Sequence, residues 1–278
     1  MSTTAAPSAR RRPLETAGPV GVFALFIGFW YFMSYVGMSE GRRFLVPAPH
    51  VVLNRSFFGI GSATETTPAV RSTMFKGLLL SAQVAAVGLL IAILLGMALA
   101  VLMSRARWIE RSLYPYAVAL QAIPVLAFVP LIGSFFDFNF RSRVIVCVII
   151  ALFPIIANTL FGLVSVDAGM HDLFTLHGAS GRDRLWRLQF PAALPSIFTG
   201  LRISAGLSVI GAIVGDFFFR QGDAGIGRLI DVYRARNQTP EMFGAVILSA
   251  LLGIAVFWLF GLLSRRAIGR WHETTGQR

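Results

Sequence analysis

Five stretches of this chain, Gly18 to Met38, Gly77 to Ser104, Ser112 to Phe136, Val144 to Val166 and Met242 to Ser264, contain no Asp, Glu, Lys or Arg. Each is long enough for a helix to cross the hydrocarbon of a bilayer, which takes about 20 residues for roughly 30 Å. Inside lipid only a backbone that satisfies its own N–H and C=O groups is tolerated, so runs of this kind dictate helices. A sixth run, from about Ser196 to Phe218, is interrupted by Arg202 and Asp216. The expected fold is all-α: a polytopic membrane protein of about six transmembrane helices. Composition points the same way, because 55% hydrophobic and 14% charged residues leave too little polar surface to clothe a soluble globule. We expect a tail over residues 1–17, a single transmembrane domain over 18–264 and a second tail over 265–278.

The formal net charge of +12 does not indicate a nucleic-acid partner, since the basic residues fall in short clusters between apolar runs rather than along one stripe. Of the 25 basic residues, Lys76 alone is a lysine. A phosphate-binding P-loop needs a lysine preceded by glycine, and Lys76 follows Phe75, so the chain has no ATP site of that kind and is not expected to be an enzyme. One cysteine, Cys147, excludes an intrachain disulfide and reads as a small buried hydrophobe. The histidines at 50, 171, 177 and 272 are too scattered for a metal site, and no cofactor is expected on this chain.

The first apolar run follows Arg10, Arg11 and Arg12 as a signal peptide would, but it is long and ends in Tyr-Val-Gly-Met without a small-residue cleavage site, so it stays as helix one. Its Trp30, Tyr31 and Tyr35 suit an interfacial belt. An even number of spans puts both termini on one side. That side carries 13 basic residues against 11 on the other, too even a split to orient the protein by the excess of arginine on the cytoplasmic face. Between the first two spans, residues 51–58 are semi-apolar and the Thr-rich run to Thr67 reads as loop. Between the fifth and sixth, Ile226, Leu229, Ile230 and Tyr233 recur with helical spacing and predict a short helix on the other side.

The segment from Asp167 to Pro191 is too polar to span. Leu173, Phe174 and Leu176 form one short apolar face, Gly178 permits a sharp turn, and Leu185, Trp186 and Leu188 form a second face on a second short helix. Two short helices meeting at a glycine make a protruding knob.

This spacing resembles the EAA loop of ABC importer permeases: Asp172, Leu173, Phe174, Gly178, Leu188, Phe190 and Pro191 stand where that pattern has Glu, Ala, Ala, Gly, Ile, Leu and Pro. Leu173 and Phe174 depart from it in being larger than alanine. The resemblance continues through Val46-Pro-Ala-Pro, Ile123-Pro124 with Pro130, Phe153-Pro154 with Asn158, and Leu194-Pro195 through Gly200-Leu201-Arg202. It is closest to the nitrate, sulfonate, taurine and thiamine-precursor branch of the binding-protein-dependent permeases, and the stretch Phe198 to Asp216 with Leu176 to Ser180 is more similar to pyrimidine or thiamine-precursor permeases than to nitrate ones.

The resemblance implies a type I importer permease in the bacterial inner membrane, both termini cytoplasmic. Two copies would form the pathway, and two ATPase subunits carrying ATP and Mg would each clasp one loop 167–191. An extracytoplasmic binding protein would deliver the substrate. The coupling residues so implied are Asp172, Leu173, Phe174, Gly178, Ala179, Leu185, Leu188 and Pro191.

Polar groups inside a bilayer are costly, so each is a candidate for the pathway as well as for helix–helix packing. Gln83, Gln121 and Asn158 are such groups, and Pro124, Pro130 and Pro154 can bend their helices. Either Arg202 snorkels to the inner surface and Asp216 ends its helix at the outer interface, or these charges line the cavity or stabilise a gate; about 14 residues of helix, roughly 21 Å, separate the two, so they cannot touch. Glycines 88, 96, 200, 206, 211 and 215 read as close-packing positions. An ion-gradient-driven secondary transporter is the alternative, but the spans before the fifth contain no carboxylate and no paired repeat is evident. A membrane enzyme finds no support, because His171 and His177 share no helical face.

Overall fold

A computed structural model of the chain describes residues 11–60, 67–122 and 124–269. Of the expected tails 1–17 and 265–278, residues 11–17 belong to α1 and 265–268 to α11; residues 1–10 and 270–278, the segment 61–66 and Ile123 lie outside the described residues. The helices are α1 (Arg11–Tyr35), α2 (Pro49–Leu53), α3 (Thr67–Ser104), α4 (Arg107–Ala122), α5 (Val125–Phe136), α6 (Phe140–Val164), α7 (Ala168–Leu176), α8 (Gly181–Arg184), α9 (Phe190–Phe218), α10 (Ile226–Ala235) and α11 (Thr239–Ile268). No strand occurs among the described residues.

Five segments are long and apolar enough to cross a membrane: Ala17–Tyr35, Thr67–Ser104, Phe140–Val164, Gly181–Phe218 and Thr239–Ala267. The remaining expected span, Ser112 to Phe136, is not one straight helix. It is the bent pair α4 and α5, whose axes meet at 98°, with Pro124 at the N-cap of α5 in an extended conformation. Proline has no N–H to give to the ladder and drives the residue before it out of the α region, so the helix breaks there. The short helix expected between the last two spans is α10.

The chain divides into two compact units. In the smaller, residues 1–71 with 233–244, the aromatic end of α1 folds onto the segment that follows it. Trp30 Nε1 donates to Pro47 O at 3.0 Å, Tyr31 stacks on His50, and Trp30 packs against Phe243 at 5.6 Å. These aromatics find polar partners for their donor groups while keeping their rings apolar, as interfacial residues do.

In the larger unit, residues 72–232 with 245–278, the core lies where α3, α6 and α9 meet. Leu89 and Ala92 of α3, Ala151 and Ile155 of α6, and Ile197 and Leu201 of α9 are buried together. Small residues let these helices approach closely, which is how helices associate where lipid removes the hydrophobic drive. A Cβ at Gly200 would sit 2.7 Å from Pro154 O, and one at Gly211 would sit 2.8 Å from Cys147 Cα. Cys147 is buried as expected, with its Sγ donating to Ser208 O at 3.2 Å. Gly206 is the exception among the expected packing glycines: a Cβ there would meet nothing within 4 Å.

Candidate functional site

The loop between α6 and α9 is built by local hydrogen bonds. Asp167 caps α7 by accepting from Gly169 N at 2.8 Å, satisfying one of the orphan donors of a helix start. At the other end Gly178 has φ +65. Its N–H donates to Thr175 O and the next N–H, from Ala179, donates to Phe174 O, both at 3.0 Å. That pair of bonds is a Schellman motif, which needs a left-handed residue at the position of Gly178. Ser180 then caps α8 by accepting from Asp183 N at 3.2 Å, and Arg184 Nη2 reaches back to Thr175 Oγ1 at 3.0 Å. The Arg184–Thr175 bond thus braces the two arms of the turn.

The second arm is not the separate short helix expected from the sequence. Gly181–Phe218 runs as one helical segment of 38 residues, with a π turn at Leu185–Gln189. Pro191 explains the turn: it cannot donate into the ladder, and the wider turn ahead of it takes up the mismatch. Nor do Leu185, Trp186 and Leu188 form one outward face. Leu185 and Leu188 are buried in the bundle, whereas Trp186 is exposed and stacks on Phe190 with ring centroids 4.9 Å apart. On a π turn Trp186 is rotated off the stripe that its neighbours occupy. Of the other residues singled out in this loop, Asp172, Leu173, Gly178 and Pro191 are exposed, and Phe174 and Ala179 are half-buried. Leu176, with 84% of its surface exposed, is the most prominent apolar side chain at the tip.

At the opposite end of the same helix, Asp216 is fully buried. It forms an ion pair at 3.2 Å with Arg143 of α6, which is itself buried. Ser81 of α3 donates to Asp216 Oδ2 at 2.5 Å and accepts from Ile226 N at 2.9 Å, so one hydroxyl joins α3, α9 and α10. The Arg143 guanidinium also donates to three backbone carbonyls, of Phe219 at 2.9 Å and of Gln221 and Asp223 at 3.1 Å. Asp216 therefore stands in the last turn of α9 as a buried, paired carboxylate rather than a free charge in an open cavity. It closes a clamp that ties the connection 219–225 to three spans. Arg143 was not visible as a candidate in the sequence, because it stands immediately before the uncharged run from Val144 and reads as a flanking residue.

The remaining candidates do not converge with it. Gln83 is exposed on α3, Gln121 and Pro124 are exposed at the α4–α5 break, and Asn158 is half-buried, its amide donating to Pro154 O at 2.8 Å within its own helix. Arg202 lies over the Phe257 ring at 3.8 Å, at one end of an apolar groove of about 1110 Å³ between α9 and α11. The cation on a ring face satisfies part of its charge without water. No cluster of His, Cys, Asp and Glu that could hold a metal occurs among the described residues.

Residues 92–269 match the family described as binding-protein-dependent transport system inner membrane component. The formylaminopyrimidine transport permease protein of Halalkalibacterium halodurans is 32% identical over 247 residues, covering 89% of this chain and 93% of that protein. A putative aliphatic sulfonates transport permease protein of Bacillus subtilis is 28% identical over 84% of this chain and 88% of its own length. Among solved structures, an amino acid ABC transporter with histidines superimposes with a TM-score of 0.55 at 20% identity, over 74% of this chain and 97% of the other; it supports the fold.

Proposed function

Because the chain belongs to the family of inner-membrane components of binding-protein-dependent transport systems, on the branch that includes nitrate, sulfonate and thiamine-precursor permeases, we propose that it couples solute movement to a separate ATPase through the loop 167–191. The chain is the permease subunit of an ABC importer for small solutes. Its cargo is a small polar organic solute or anion of the thiamine-precursor pyrimidine, sulfonate, taurine or nitrate class. Both termini lie in the cytoplasm, which puts the Gly178 turn on the ATPase side and the clamp at Asp216 on the outer side. ATP and Mg reside on two partner subunits, and an extracytoplasmic binding protein supplies the solute.

The observation that carries the reading is mechanical. The exposed tip with Leu173 and Leu176 is braced by the capped α7 and the Schellman turn, and beyond that turn the second arm runs as one helical segment, Gly181–Phe218. A handle of that kind transmits rotation, because packed helices switch between discrete arrangements rather than deforming. Leu185 and Leu188 anchor the handle to its own bundle, leaving Asp172, Leu173, Phe174, Gly178 and Ala179 for the partner. Nucleotide acts through the handle by favouring one arrangement over the other.

A second copy of the chain completes the pathway, and the groove between α9 and α11 supports a homodimer: it is apolar, and Gly206 and Gly253 on its lining leave room for a partner helix. Arg202 stands at its mouth, and Gln83, Gln121, Pro124 and Asn158 remain pathway candidates. The test is Gly178→Trp, which should leave the protein inserted while abolishing co-purification of the ATPase and uptake. Retained complex and uptake would refute the coupling role.

A further inference from the structure

On α3 the polar residues Thr73, Lys76 and Gln83 fall at spacings of three and seven, which put them on one face of a helix. They line a cavity of about 520 Å³ whose other wall is the connection after α9, at Asp223 and Ala224. Lys76, the sole lysine of the chain, forms no ion pair among the described residues. Asp223 faces the same cavity, yet the two opposite charges do not close on each other. Backbone hydrogen bonds brace the far wall: Arg143 holds the carbonyls of Phe219, Gln221 and Asp223 and Arg228 holds those of Arg220 and Gly222.

Depth matters too. A helix of 38 residues is about 57 Å long, well beyond the roughly 30 Å of hydrocarbon. With Ser104 at the inner interface the crossing ends near Gln83, and Lys76 and Thr73 stand in the outer mouth. Lys76 and Asp223 line one cavity without pairing with each other, so an ammonium and a carboxylate are both available to a ligand that carries the complementary pair. The Thr73 hydroxyl and the Gln83 amide add further hydrogen-bonding groups along the same wall.

We infer that this cavity is a reception site for a small zwitterion, with the solute's oxyanion on Lys76 and its N–H on Asp223. The inference rests on the permease reading and its orientation, and it narrows the solute class to the aminosulfonate type. The clamp at Arg143 and Asp216 acts as a positioning device, because it fixes the wall that bears Asp223.

Because Lys76 is the only lysine, its accessibility can be read directly. Right-side-out membrane vesicles carrying the full chain are treated with a membrane-impermeant amine-acylating reagent, and the rate at Lys76 is followed by peptide mass spectrometry. N,N-Dimethyltaurine is the zwitterionic probe, since its tertiary amine cannot be acylated; ethanesulfonate and dimethylethylamine supply the anion and the cation alone. The zwitterion at about nine times its dissociation constant should slow acylation about tenfold, as simple occupancy requires. Ethanesulfonate at the same concentration should protect less, and dimethylethylamine not at all. Asp223→Asn should erase the advantage of the zwitterion over ethanesulfonate while leaving Lys76 reactive.

External acylation that none of the probes slows would overturn the site and leave the permease reading standing. Equal protection by all three would overturn it as well. Low reactivity without any probe in phosphatidylglycerol membranes, restored in phosphatidylcholine, would assign the anion to lipid and also overturn it. Acylation only in inverted vesicles would bring down the orientation on which both readings depend.

Discussion

Breaking the Arg143–Asp216 clamp should loosen the larger unit by an amount that depends on which partner is removed. Both side chains are buried, and removing one member of a buried pair leaves an uncompensated charge, at a cost of about 3–5 kcal/mol. Asp216→Asn sits at the low end: the amide retains the shape, Ser81 keeps a partner, and the guanidinium keeps its carbonyl acceptors. Arg143→Met should cost more, because it also strips the donor from the carbonyls of Phe219, Gln221 and Asp223, each worth about 1 kcal/mol net. The double variant should cost less than the two single costs added together, with a coupling of up to about 3 kcal/mol. Cys147 is the assay: it is the only cysteine and fully buried, so the rate of thiol labelling reports opening of the α3–α6–α9 core. A loss of about 3 kcal/mol raises that rate on the order of 100-fold when opening precedes reaction. Labelling of Asp216→Asn within about twofold of the parent, or strict additivity in the double variant, would refute a coupled clamp.

Other perturbations separate the handle from the bundle. Gly178→Ala should cost about 1–2 kcal/mol of backbone strain without a steric clash, since a Cβ there meets nothing within 4 Å; uptake should fall while Cys147 stays protected. Leu173→Glu with Leu176→Glu changes two exposed side chains and should abolish ATPase co-purification without altering Cys147 labelling. Gly211→Val pushes a side chain onto the Cys147 backbone, 2.8 Å from its Cα, and should cost at least the about 1–3 kcal/mol of overpacking, seen as faster labelling. Gly206→Leu, which has free space within its own chain, should leave that rate alone and reduce cross-linking between copies.

Span positions were legible because lipid demands uninterrupted apolar helices, and the runs free of charge leave few other ways to fold. The break at Pro124 was legible as a bend but not as a right angle, since proline forbids a straight ladder without saying where the chain goes next. Leu185 and Leu188 were legible as one stripe, but periodicity does not say whether a stripe turns to its own bundle or to a partner. The side was decided by the π turn, which separates Trp186 from them. Asp216 was conspicuous as a carboxylate near the end of an apolar run. Its partner was hidden because the pairing joins residues 73 positions apart (216 − 143) and depends on how α6 packs on α9. A rule that a buried carboxylate needs a cation would have narrowed the search to the arginines at that end of the bundle.

The handle and the clamp lie at opposite ends of one helical segment. From Gly181 to Asp216 the helix rises roughly 50 Å at 1.5 Å per residue, enough to carry a movement at the Gly178 turn across the whole bilayer. Rigidity along that path is uneven. The π turn at Leu185–Gln189 and Pro195 are where the hydrogen-bond ladder is weakest, so bending concentrates near the inner end. Beyond them, the glycine contacts at 200 and 211 press α9 against α6, and the clamp fixes its outer end. Under the proposed coupling, a pull on the handle meets a helix that yields near its Gly181 end and pivots as a unit farther along. The outer wall of the Lys76 cavity, tied to that unit through Arg143, has to move with it. Straightening the inner hinge should accordingly uncouple the two ends: Pro195→Ala should leave ATPase docking intact and change the rate of Lys76 acylation on addition of ATP, and an unchanged response would place the flexible element elsewhere.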